Sequence, residues 1–174
     1  MQSNRKLQRL ANQDQKEREC FFEDPEKVTN RDVERRKQVR QLVAQGQVKT
    51  ARDYFNAALI FQHGLTARDY KTALSFAKRS IKLGGGKWAK WLFAVITDRL
   101  LLSEGKKQKF GTQFSIVSGK RKGKTVRMMR LLPIEKRIGD TYRAQYGISP
   151  LKEILADDGK IISKKQKKIS FKLN

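Results

Sequence analysis

The chain has 174 residues and carries 40 Lys and Arg against 17 Asp and Glu, a formal net charge of +23. That length accommodates one hydrophobic core with extensions and falls short of two full-sized domains, and no apolar stretch approaches the roughly 20 residues of a membrane-spanning helix. An excess of positive charge this large opposes compaction until an anion neutralises it, which favours a polyanionic partner: nucleic acid first, and anionic membrane only with an anchor or amphipathic helix of which the sequence has no sign.

Residues 1–28 are polar and basic, and are expected to form an arm or a short surface helix docked by the adjacent rings of Phe21 and Phe22. The single cysteine, Cys20, has no partner for a disulfide and no Cys or His cluster beside it for zinc. A reducing intracellular compartment is expected, the cytoplasm or an organelle matrix, with no metal and no cofactor.

Residues 29–156 are expected to form a single helical domain. One pattern occurs three times, Thr29-Asn-Arg-Asp32, Thr50-Ala-Arg-Asp53 and Thr66-Ala-Arg-Asp69, each ahead of helically spaced apolar residues. Each Thr is a candidate N-cap whose hydroxyl meets an unpaired amide, while the Asp complements the positive end of the helix dipole. Helices are predicted over 30–45, 51–62, 67–83 and 87–103, closed by Gly46, Gly64, Gly84–Gly86 and Gly105. The second and fourth are apolar on more than one side and should be central. The first carries only the stripe Val39, Leu42 and Val43 and should lie outside, with Arg35, Arg36, Lys37 and Arg40 forming a basic patch.

After Gly105 the pattern changes to alternation. Phe110, Phe114 and Ile116, a turn at 118–124 and a resumed run to Leu132 predict a β-hairpin over 110–132 with a basic tip. A further helix is predicted over 134–146 and a short one over 151–156. The Lys-rich tail, residues 157–174, is expected to be disordered alone or to become an edge strand when bound. The fold class is thus mainly α: an antiparallel stack of helical hairpins with a small C-terminal β-hairpin and basic extensions.

Two resemblances accompany this reading. Asp69-Tyr-Lys-Thr-Ala73, continuing through Ala77, Ser80 and Leu83 to Trp91, resembles the junction of two tetratricopeptide-like helical repeats. Arg35-Arg36, Asp53-Tyr54, the run from Asn56 to Gly64, Asp98-Arg99 and Gln108-Lys-Phe-Gly-Thr-Gln113 together resemble an uncharacterised, mostly bacterial domain family. That resemblance spans roughly residues 32–153 and implies no established activity.

Two groups of residues carry the functional expectations. Nine cations between positions 106 and 130, namely Lys106, Lys107, Lys109, Lys120, Arg121, Lys122, Lys124, Arg127 and Arg130, have no acid among them, and Lys164, Lys165, Lys167 and Lys168 repeat the theme in the tail. Cations of one sign around glycines suit phosphates. No helix-turn-helix spacing, zinc finger or aromatic RNA-recognition strand is present, so phosphate contact without base readout is expected. The expectation is a non-catalytic nucleic-acid-binding protein, RNA preferred, belonging to a ribosome-like particle with protein partners. The alternative is an enzyme or small-ligand binder with a polar pocket drawn from Gln62, His63, Asp98, Arg99, Gln108, Thr112 and Gln113, His63 serving as a base oriented by Asp98 and Arg99 or Gln113 binding an anion. A helical interaction scaffold is the third reading.

Overall fold

The computed structural model describes residues 2–18, 24–121 and 124–162. Cys20, Phe21, Phe22, Lys122 and the tail from Ser163 onward lie outside the described residues, and with them the expectations placed on those rings and tail lysines.

The centre of the molecule is α3 (Ala51–Phe61), α4 (Ala67–Lys82) and α5 (Gly86–Ser103), joined by turns of a few residues and therefore antiparallel, with α4 packed on both neighbours. Ala57, Ala58, Ala73, Ala77 and Ala89 are fully buried among Ile60, Phe61, Leu92 and Ile96; short side chains at the crossings let the helix axes approach. Two of the three expected caps form. Thr50 Oγ1 accepts the Asp53 N–H at 3.1 Å while Asp53 accepts the Thr50 N–H at 3.0 Å, and Thr66 Oγ1 accepts the Asp69 N–H at 3.1 Å.

The third repeat of the pattern is not a cap. Helix α2 (Pro25–Ala44) starts five residues earlier than position 30, capped by Asp24, which accepts the Lys27 N–H at 3.1 Å. Proline suits the first helical turn because its missing N–H would have been unpaired there, so Asp24-Pro25 supplies the start. Thr29, now inside the helix, donates to the Pro25 carbonyl at 2.8 Å.

Residues 5–18 form α1 (Arg5–Arg18), which is part of the packed body: Leu7, Leu10 and Ala11 join the core. An apolar stripe of three residues among so many polar ones reads as a surface segment; its burial depends on α2 and α3, which cover it. Consequently α2 buries Arg35 and Arg36 beside Val39 and Leu42, while Val43 is exposed. The expected basic patch on α2 is half dismantled, since two of its four cations point inward.

Beyond α5 the antiparallel hairpin of β1 (Phe114–Arg121) and β2 (Lys124–Leu131) runs in register from Phe114↔Leu131 to Arg121↔Lys124. The other edge of β2 is occupied by the first residues after α7 (Leu151–Ala156). Gly159 N–H donates to Met129 O at 2.8 Å, Met129 N–H to Lys160 O at 2.9 Å and Ile162 N–H to Arg127 O at 2.8 Å. The start of the tail is thus an edge run without any partner molecule. The predicted helix over 134–146 shrinks to α6 (Asp140–Ala144), because the Arg143 guanidinium takes the Glu135 and Ile138 carbonyls that a longer helix would need for its own bonds. No helix among the described residues is long and apolar enough to cross a membrane.

Candidate nucleic-acid interface

The hairpin is held at its base by two buried polar side chains, Asp98 from the helical body and Gln108 from the segment that leads into β1. Asp98, on the last turns of α5, accepts the backbone N–H groups of Lys109 (2.7 Å), Phe110 (2.9 Å) and Thr112 (2.9 Å) and the Thr112 hydroxyl (2.9 Å). Burial pushes its pKa above the ordinary carboxylate range despite those four bonds. Gln108, also buried, donates to the carbonyls of Gln113 and Leu132 and accepts the Gln113 N–H at 2.9 Å, closing the two ends of the hairpin on each other. Gly111 (φ 88°) completes the loop: a Cβ there would sit 2.7 Å from Ile134 Cδ1.

From that base the ribbon projects its cations. Lys120, Arg121, Lys124, Arg127 and Arg130 are exposed, and the side chains of Lys120, Arg121 and Lys124 have no ion pair or hydrogen bond among the described residues. Strand alternation puts Arg121, Lys124 and Arg130 on one face with Val117, Val126 and Met128, and Lys120 and Arg127 on the other. The charge therefore surrounds the ribbon. Gly119 serves the ribbon itself, since a Cβ there would lie 2.2 Å from Met128 Cε. Arg130 has Asp158 at 3.7 Å, and Lys106 pairs with Glu104 at 2.9 Å. Lys107 is exposed, whereas Lys109 turns inward to the Tyr142 hydroxyl at 3.0 Å and lies over that ring. Lys109 thus stabilises the loop and lowers the Tyr142 pKa through its hydrogen bond.

The residues of the expected polar pocket are divided between two places. Gln108, Thr112, Gln113 and Asp98 belong to the hairpin base. His63 and Gln62, at the end of α3, belong to a separate buried cluster with Arg99, and the carboxylate nearest the imidazole is Asp14 of α1, 3.5 Å from Nε2. Asp14 also has Arg18 at 3.3 Å and Arg35 at 3.8 Å, Arg18 and Arg35 both bind Asp32, and Arg35 binds Glu17. Glu17 also receives Arg31 at 2.8 Å, so three guanidiniums and three carboxylates make up the set. Burial pushes the Asp14 pKa up to about 7, with Asp32 adding to the rise. Burial and the surrounding Arg18, Arg99, Arg35 and Arg36 hold His63 well below its usual range and therefore neutral.

Arg36 joins the helices by donating to the His63 carbonyl at 3.3 Å and approaching Asp69 at 3.7 Å; Arg40 reaches Asp69 at 3.2 Å. Gln62 Oε1, His63 Nε2 and Arg99 Nε are buried without a hydrogen-bond partner among the described residues. The cluster is an internal ionic network that fastens α1 and α2 to α3 and α4.

A second basic surface escapes a reading by runs of charge. No acid occurs between Asp69 and Asp98, and the cations in that interval are spaced along two helices. Lys78, Arg79 and Lys82 near the end of α4 and Lys87 and Lys90 at the start of α5 flank the short turn between the two helices and are all exposed, Arg79 lying over the Tyr54 ring. The acid-free interval was the available signal. Comparison of the chain with protein-family models, with curated proteins and with solved structures returned no match.

Proposed function

We propose that this protein binds RNA without catalysing a reaction, through its basic hairpin and the α4–α5 surface, as a component of a ribonucleoprotein particle. The observation that carries the reading is the segregation of charge. Asp14, Asp32, Asp53, Asp69 and Asp98 are buried, against Arg35, Arg36 and Arg143 among the cations. Among the described residues these buried carboxylates are taken up by helix caps, loop amides and internal ion pairs, with Arg99 enclosed beside His63. Lys120, Arg121, Lys124, Lys78, Arg79, Lys82, Lys87 and Lys90, by contrast, stay exposed on a chain of net charge +23. A cationic ribbon charged on both faces suits insertion between phosphates on two sides of a groove, where contact fixes position and sequence is not read. The tail cations Lys164, Lys165, Lys167 and Lys168 extend the same phosphate-binding reading, and the compartment is one that holds RNA.

The test is titration of labelled structured RNA and of matched duplex DNA over a series of salt concentrations, the slope of log affinity against log salt giving the phosphates neutralised. RNA preference that persists at physiological ionic strength is expected. Weak binding that disappears equally for both would overturn the reading.

A further inference from the structure

We propose that the groove between α4, α5 and the segment after α6 holds one unpaired nucleobase of a single-stranded RNA. This rests on the RNA-binding reading and adds to it a site that contacts a base. The groove has a volume of about 180 Å³ and is lined by Ile81, Lys90, Phe93, Gln145 and Tyr146. Small-ligand pockets usually enclose roughly 300–1,000 Å³, and this smaller groove, open to solvent, has room for one flat ring.

Its wall is aromatic and fixed. Phe93 and Tyr146 stack at 5.4 Å with planes 20° apart, Tyr146 meets Phe110 edge-on at 4.9 Å, and the Tyr146 hydroxyl lies 3.5 Å from that of Tyr142, which Lys109 binds. Phe110 is held in turn by Asp98. Two polar groups of the groove are uncommitted: neither the Lys90 ammonium nor the Gln145 amide has a hydrogen bond or ion pair among the described residues. An amide offers one acceptor and two donors to a base edge, and an ammonium beside it meets a phosphate. Lys78, Lys82 and Lys87 stand on the same helix ends as Ile81 and Lys90, and no acid lines the groove. Phe93 and Tyr146 already stack on each other, so a base would lie against the part of that pair that lines the groove; aromatic contact with a cationic rim is the arrangement by which single strands are held without strong sequence preference.

The experiment uses the full chain and three ligands: a single-stranded RNA oligonucleotide, the same length of abasic sugar-phosphate, and inorganic polyphosphate. Wild type should bind the oligonucleotide about tenfold more tightly than the abasic strand, the order of one stacked base. Gln145→Ala should shrink that ratio towards one, and Lys90→Glu should weaken oligonucleotide binding severalfold. Both side chains face solvent at the groove, and circular dichroism would check that each variant keeps its helices. Equal affinity of wild type for the RNA and abasic strands, or for RNA and polyphosphate, would overturn the base site while leaving phosphate binding by the hairpin intact. So would a Gln145→Ala ratio identical to wild type. Absence of binding to any RNA would end both readings.

Discussion

Asp98 and Arg143 grip the same residue from opposite sides: Asp98 accepts the Phe110 N–H at 2.9 Å, and Arg143 Nε donates to the Phe110 carbonyl at 3.3 Å. One side chain comes from the helical body and the other from the segment after the hairpin. Phe110 is therefore the point at which the ribbon is fastened to the stack. Asp98→Ala would leave three backbone amides and a hydroxyl without their acceptor, so it should cost about 3–4 kcal/mol in chemical unfolding. A loss below about 1 kcal/mol would show that the loop finds water or other acceptors instead.

The Asp14 network makes stability depend on pH. The folded-state pKa of Asp14 is raised from 3.8 to about 7, so its contribution is present below the lower value and is lost as pH rises through the higher one. His63 acts in the opposite sense: its lowered pKa contributes stability above the ordinary histidine value of 6.5 that is lost as pH falls. Asp14→Asn cannot ionise and should lack the first effect. Relative to wild type, the variant should gain roughly 2–3 kcal/mol between about pH 5 and about pH 8 in equilibrium unfolding. Parallel pH profiles would mean that Asp14 is ionised throughout.

Gly64 and Gly46 both close helices but for different physical reasons. A Cβ at Gly64 would lie 2.2 Å from the Asp69 Cβ, displacing the residue whose N–H the Thr66 cap accepts and whose carboxylate receives Arg40. At Gly46 nothing stands within 4 Å, and only its φ of 64° opposes a side chain. Gly64→Ala should therefore lower stability by about 2–3 kcal/mol and Gly46→Ala by about 1 kcal/mol. Thermal melts of the two variants would compare them, and equal losses would contradict the steric account.

Reversing Lys120, Arg121 and Lys124 to Glu should weaken RNA binding and reduce the salt slope by about 0.9 for each phosphate no longer neutralised. Those side chains make no bond to the body among the described residues, so the melting temperature should stay close to wild type. An unchanged slope would remove the hairpin tip from the interface.

The central helices and two of their caps were legible because the interactions that make them are local. Thr50 and Thr66 find their amides three residues away, and the apolar spacing of residues 51–61, 67–82 and 86–103 is a property of each segment alone. The hairpin and the helix over 151–156 followed from alternation and punctuation in the same way. His63, Asp98 and Gln108 could be named as chemically notable, but not paired, since a pairing is a distance between segments.

What the amino-acid sequence determined by itself was therefore the charge, the fold class and the element types. Tertiary structure alone decided which charges turn inward. Arg35 and Arg36 sit in a helical charge run that reads as solvated; Asp32 on the same helix pairs with Arg35, and the arrival of α1, with Asp14 and Glu17, and of Asp69 from α4 completes the compensation of their burial. Ion pairs between distant segments leave no periodicity, because Coulomb attraction at about 3–4 Å depends on where the chain folds and not on the order in which its residues are written.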